Sequence, residues 1–174
     1  MAVGSSSASG AWTGSPSTLG ERPRRSRLVD VFEQEANRCA RNADLRRLLL
    51  EATRELGFDH VALVHHARLT RGASPRLVRI DNYPDGWTEE LLAHDLAPSD
   101  PVHLASVRTN IGFAWQDLGD LLPLGPLQTH ILERSAFFGL GEGFTVPANI
   151  PGEPSGCCSF AVRKGRPLPG RRLL

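Results

Sequence analysis

The apolar residues change their period at Gly57, and that switch restricts the chain to folds that mix helices with strands. Before it, Leu45, Leu48, Leu49, Ala52 and Leu56 recur at the spacing of one helix face, with Asp44 placed to cap the helix and Gly57 to end it. After it, Phe58 to His66 is short and rich in strand-forming residues, and Leu77 to Ile80 repeats the pattern beyond the turn Arg71-Gly72-Ala73-Ser74-Pro75. Those two runs make a hairpin-like pair. Upstream, Leu28, Val29, Phe32, Ala36, Cys39 and Ala40 mark an earlier helix.

Downstream the alternation continues. Pro84-Asp85-Gly86 opens a helix from Trp87 to His94, and Pro98-Ser99-Asp100-Pro101 opens another, with Ser99 or Asp100 as its cap. Phe113-Ala114-Trp115 is a short strand. Leu124, Leu127, Ile131, Ser135 and Phe138 then mark a helix closed by Gly139. Gly143 to Pro147 and Gly156 to Val162 form a final antiparallel pair. This order predicts an α+β fold, an α-β-α sandwich around a central, mainly antiparallel five-stranded sheet.

Residues 1–26 are mostly Gly, Ser, Ala, Thr and Pro with few apolar groups, and read as a disordered tail before a domain spanning 27–174. Formal net charge is +1, but the basic residues gather at the two ends, so the body between is acidic. An acidic body argues against a nucleic-acid-binding surface. No run of eighteen apolar residues exists, and the N-terminus lacks a basic-then-apolar leader pattern. A cytoplasmic protein without membrane contact is the expectation.

The residue types that carry catalysis are poorly arranged for it. Neither a G-x-S-x-G elbow nor a glycine-lysine phosphate loop is present. His65 and His66 are adjacent on a strand, so they face opposite ways and cannot chelate one ion together. Glu89-Glu90 reads as a solvated helix face. Cys39, Cys157 and Cys158 show no C-x-x-C spacing, and the adjacent pair alternates, one thiol inward and one outward. The sequence therefore predicts no catalytic residues, no metal and no cofactor.

The stretch from Tyr83 to Trp115 is different. It holds the chain's only tyrosine and two of its three tryptophans, with Asp100 between Ser99 and Pro101. Tyr O–H and Trp N–H are polar handles on apolar rings and seek partners when buried. A small ligand with carbonyl groups and an apolar tail would supply them. Core aromatics beside a capping aspartate would give the same pattern, and composition alone leaves both readings open.

Tyr83-Pro84-Asp85-Gly86-Trp87, then Asp100-Pro101-Val102, then Phe113-Ala114-Trp115 resembles the signature of the autoinducer-binding domain of LuxR-type quorum-sensing regulators. Gly139 to Pro147 and Gly156 to Val162 are similar to that family's closing strand pair. The resemblance implies a cytoplasmic sensor of an N-acyl-homoserine lactone that is not an enzyme. In it Trp87 would donate to the lactone carbonyl and Asp100 would accept from the ligand amide. Tyr83 would donate to the acyl carbonyl with Ser159 as a second partner, and Trp115 would pack beside the lactone ring. Leu91, Leu96, Val102 and Phe113 would line the acyl tail. The family usually has aromatic residues where this chain has Leu91 and Leu96, so that wall would be wider or differently shaped.

The family also continues into one more helix, a linker and a DNA-binding helix-turn-helix. Here Leu168-Pro169 and Arg171-Arg172-Leu173-Leu174 look like that helix beginning, and no helix-turn-helix follows. The resemblance thus implies DNA contact only through a domain this sequence lacks. It also implies a homodimer, or a heterodimer with a full-length regulator. Two alternatives are a non-DNA-binding modulator that acts through such a heterodimer, and a sensor of another apolar carbonyl compound.

Overall fold

Five strands pair in the order β2-β1-β5-β4-β3 in the computed structural model, which describes residues 22–66, 79–153 and 155–170. They are β1 (His60–His65), β2 (Arg79–Asp81), β3 (Phe113–Ala114), β4 (Leu140–Ala148) and β5 (Gly156–Arg163). Every pairing is antiparallel. The predicted α+β class and five-stranded sheet are what the chain forms. The Arg71–Pro75 turn, Leu77 and Val78 lie outside the described residues, as do residues 1–21 and 171–174.

The described chain divides after Arg38 into two units. The first contains helix α1 (Arg22–Arg38), which starts inside the stretch read as tail. Pro23 stands at its first turn, where a missing N–H costs nothing. The second unit holds everything else. In it α2 (Asn42–Glu55) begins two residues before Asp44, and that carboxylate pairs with Arg41 within the first turn instead of capping the helix. Gly57, at φ 83°, turns the chain into β1 as expected.

Strand parity sorts the sheet into two faces. Val61, Phe160 and Val162 point to one, where Phe58 meets Phe160 with ring centroids 5.5 Å apart and α2 packs against β1 and β2. Ala62, Val64, Cys157, Ser159, Ala161 and Thr145 point to the other. That second face is covered by α3 (Trp87–Ala93), α4 (Pro101–Ser106) and α6 (Pro126–Phe137). A short α5 (Leu118–Leu121), which the sequence pattern did not reveal, follows the 3-10 turn at Trp115–Asp117.

Two apolar clusters fill the space under these helices. Trp87, Leu91, Ile131, Leu140 and Ala161 form one; Ala105, Phe113, Leu118 and Leu122 form the other, and Trp115 packs against both. Glu89 is exposed, but Glu90 is not the solvated residue the sequence suggests: Arg134 of α6 pairs with it at 2.7 Å and ties α3 to α6. After β5, residues 168–170 are not helical, so the helix expected to begin at Leu168 does not start there.

Candidate functional site

Between the covered face of the sheet and α3, α4 and α6 lies a cavity of about 510 Å³. Most of its wall is apolar, and a small set of polar side chains enters it from both sides, the usual makeup of a small-molecule pocket. The elements that aim those side chains can be taken in chain order.

Tyr83 leaves β2 with its backbone N–H donated to Asp81 Oδ1 at 3.2 Å. The Arg79 guanidinium stands 5.4 Å from the centre of its ring, and His60 meets the ring edge-on. Burial holds the hydroxyl pKa well above its ordinary value, so Tyr83 is a neutral donor. Gly86, at φ 84°, then makes the turn that starts α3; a Cβ there would fall 2.8 Å from the Phe138 ring. That turn sends Trp87 inward, where it is only 3% exposed and packs 5.8 Å from Phe138. Among the described residues, neither the Trp87 indole N–H nor the Tyr83 hydroxyl has a hydrogen-bond acceptor.

Asp100 caps α4, accepting from Val102 N–H at 2.9 Å. Burial raises its carboxyl pKa, against the pull of that N–H, of His103 and of Arg79. A carboxylate offers about four acceptor positions, so the cap leaves capacity for a ligand donor. Trp115 comes from the edge of the sheet. Its Nε1–H donates to Thr145 Oγ1 at 2.9 Å, and its ring lies over Gly143, where a Cβ would sit 2.4 Å from Cε2. Thr145 is in turn 2.8 Å from Ser159 Oγ. With its oxygen accepting from Trp115, the Thr145 hydroxyl donates its hydrogen bond to Ser159 Oγ, which directs the serine O–H to another acceptor.

The structure therefore brings Tyr83, Trp87, Asp100, Trp115 and Ser159 to one cavity, with Leu91 and Val102 in its wall. It does not bring Leu96 or Phe113. Leu96 packs on the Trp87–Leu91 cluster while its neighbours Asp95 and Ala97 reach the cavity. Phe113 shares a face with Thr145 but stands on the edge strand, inside the second core cluster.

Sequence reasoning also missed wall residues. Thr145 fixes Trp115, and Arg79, Asp81, His66, His103 and Cys157 line the cavity. His66 Nε2 lies 3.4 Å from Cys157 Sγ, and the His66 and His103 rings are edge-on at 4.3 Å. The inward thiol of the alternating pair is Cys157, and burial pushes it up to about 11. Among the described residues there is no cluster of His, Cys, Asp and Glu arranged for a metal, and no helix long and apolar enough to cross a membrane.

A family model described as the autoinducer binding domain matches residues 41–174. A sequence search of curated proteins finds no match. Among solved structures, Escherichia coli SdiA aligns with a TM-score of 0.64 at 23% identity, covering 86% of this chain and 58% of SdiA. CepR2 from Burkholderia cenocepacia, an N-acylhomoserine-lactone-dependent LuxR family transcription factor, aligns with a TM-score of 0.66 at 16% identity, covering 87% of this chain and 85% of CepR2. The solution structure of E. coli SdiA residues 1–171 gives a TM-score of 0.60 at 20% identity, covering 89% of this chain and 88% of that one. At such identities the likeness is one of fold. The chain spans little more than half the length of SdiA.

Proposed function

Since the chain belongs to the autoinducer-binding domain family, we propose that its cavity binds an N-acyl-homoserine lactone. The family is one of ligand-binding regulatory domains that sense small-molecule autoinducers in quorum sensing. The finer assignment is supported by one observation above all. Two donors with no acceptor among the described residues, Trp87 and Tyr83, line the same apolar cavity as one carboxylate, Asp100.

The chemistry is complementary. An acyl-homoserine lactone carries one amide donor and several carbonyl acceptors, and the cavity supplies one strong acceptor and several donors. Trp87 donates to the lactone carbonyl, Tyr83 and Ser159 to the acyl carbonyl, and Asp100 accepts from the amide N–H. Trp115 walls the ring, and Leu91 and Val102 contact the tail. Each neutral hydrogen bond contributes about 0.5–1.5 kcal/mol, and the one to Asp100 about 1.5–3. Selectivity comes mainly from the cost of leaving Asp100 or Trp87 buried and unpaired by a wrong ligand.

A ligand that binds only the folded state raises stability by about 2.7 kcal/mol at a hundredfold excess over Kd. Thermal unfolding with a panel of lactones of different chain length tests this; no shift with any of them refutes it. A second reading is a sensor of another apolar carbonyl compound. It is favoured by Leu91 in the wall, where the family usually has an aromatic ring, and SdiA has been solved in complex with octanoyl-rac-glycerol. Mass spectrometry of what the purified protein carries separates the two. Pairing with a full-length regulator, and through it an effect on DNA binding, is a further proposal; co-elution of the two proteins on size exclusion is its test.

A further inference from the structure

One end of the cavity is polar where a plain acyl tail calls for hydrocarbon. Trp87 packs beside Ala161 in the core cluster, and Trp115 lies on Gly143, the cross-strand partner of Ala161. Cys157 is four residues away along β5, about 14 Å at about 3.4 Å per residue. It stands level with Val64 and Arg79 on the neighbouring strands. A lactone ring seated between Trp87 and Trp115 therefore directs its chain toward Arg79, Cys157, His66 and His103, all of which line the cavity.

These groups are incompletely satisfied. Arg79 pairs with Asp81 through Nε, but its Nη2 is buried with no acceptor among the described residues. His66 Nδ1 is buried without a partner in the same way. Burial, with His103 and His65 beside it, lowers the His66 pKa to about 4, so the ring is neutral near pH 7. The Arg79 charge is already balanced by Asp81, and Asp100 adds negative charge nearby. This end of the cavity thus offers hydrogen bonds but has no use for a second anion. A methyl terminus pressed into it leaves these buried polar groups as unpaired as before, whereas a ligand oxygen can supply a partner.

We propose that the cavity selects an acyl ligand bearing an uncharged oxygen, hydroxyl or keto, at or near the free end of its chain, with the Arg79 guanidinium donating to it and His66 and His103 beside it. The proposal rests on the lactone-binding reading above and names the ligand class within it.

Titration calorimetry of the whole chain with three probes of equal length tests the proposal. The probes are N-octanoyl-, N-(8-hydroxyoctanoyl)- and N-(7-carboxyheptanoyl)-homoserine lactone. The hydroxylated probe binds about tenfold tighter than the plain one, the worth of one hydrogen bond, and the carboxylated probe binds weakest. Arg79→Met brings the first two affinities within about twofold of each other. His103→Leu, on the helix side of the cavity, narrows the same gap without touching the sheet. Should either variant fail to fold, the comparison on the unsubstituted chain still decides. If the plain probe binds as tightly as the hydroxylated one, the selectivity proposal is overturned and lactone binding stands. If the carboxylated probe binds tightest, the requirement for an uncharged oxygen is wrong. If none of the three binds, the lactone reading itself has failed.

Discussion

Adding one methyl group at Gly143 should damage the cavity without replacing any residue that meets the ligand directly. A Cβ at this position would lie 2.4, 2.5 and 2.6 Å from Cε2, Cδ2 and Cζ2 of Trp115. Ordinary contact begins near 3.4 Å, so the indole must retreat by about 1 Å. Gly143 is not among the left-handed glycines, so the whole cost is contact and not backbone strain. The retreat strains the 2.9 Å bond from Trp115 Nε1 to Thr145 and, through Thr145, the contact with Ser159. Overpacking of this kind costs about 1–3 kcal/mol, and the bond adds about 0.5–1.5 if it breaks. For a chain of this size each kcal/mol lowers Tm by about 2–4 °C, so Gly143→Ala should melt roughly 2–18 °C below the parent, the upper part of that range requiring loss of the bond. Its lactone-induced shift should shrink as well, because the ring beside the lactone has moved. Gly119→Ala is the control: nothing lies within 4 Å of its Cβ, and it sits in helix α5, where Ala is favoured over Gly. Melting curves and lactone titrations on both variants provide the assay. A Gly143→Ala protein that melts and binds like the parent would show that Trp115 does not form the wall described here.

Further predictions concern the polar groups. Trp87→Phe keeps most of the ring area and removes one donor, so lactone affinity measured by calorimetry should fall about tenfold. Asp100→Asn should weaken binding while sparing the fold, because Asn still caps α4; Asp100→Ala should also cost about 0.5–2 kcal/mol of stability in chemical denaturation. The pH dependence of unfolding should carry the mark of His66, whose pKa falls from 6.5 to about 4 on folding. Between those values the unfolded chain binds the extra proton, so stability is full above pH 6.5, declines as pH falls and levels off near 4. Replacing His66 with Gln should flatten that slope; an unchanged slope would contradict its burial in the neutral form. His103, also lowered by burial, contributes with the same sign.

Much of this could be read from the sequence, for reasons that are local. The change of period at Gly57 and the runs at Gly143–Pro147 and Gly156–Val162 record one-dimensional patterns that the strands preserve. Tyr83, Trp87 and Asp100 stood out through the family resemblance, and turns with their own signals, Pro84-Asp85-Gly86 and Pro98–Pro101, flank them in the sequence. What stayed hidden depends on register. Phe113 and Trp115 have the same strand parity, yet Trp115 lines the cavity while Phe113 packs into the cluster with Ala105, Leu118 and Leu122. His66 and His103 are thirty-seven residues apart, and only the folded chain brings their rings to 4.3 Å. Asp44 looked like a cap, but Arg41 beside it draws the carboxylate into an ion pair.

A crystal structure with N-octanoyl-homoserine lactone bound puts the greatest strain on the account. The lactone carbonyl should lie within hydrogen-bonding distance, about 2.7–3.2 Å, of Trp87 Nε1, with the amide nitrogen equally close to Asp100 and the acyl carbonyl to the Tyr83 hydroxyl. A ligand bound elsewhere on the domain, or one lying in the cavity with its amide turned away from Asp100, would contradict it.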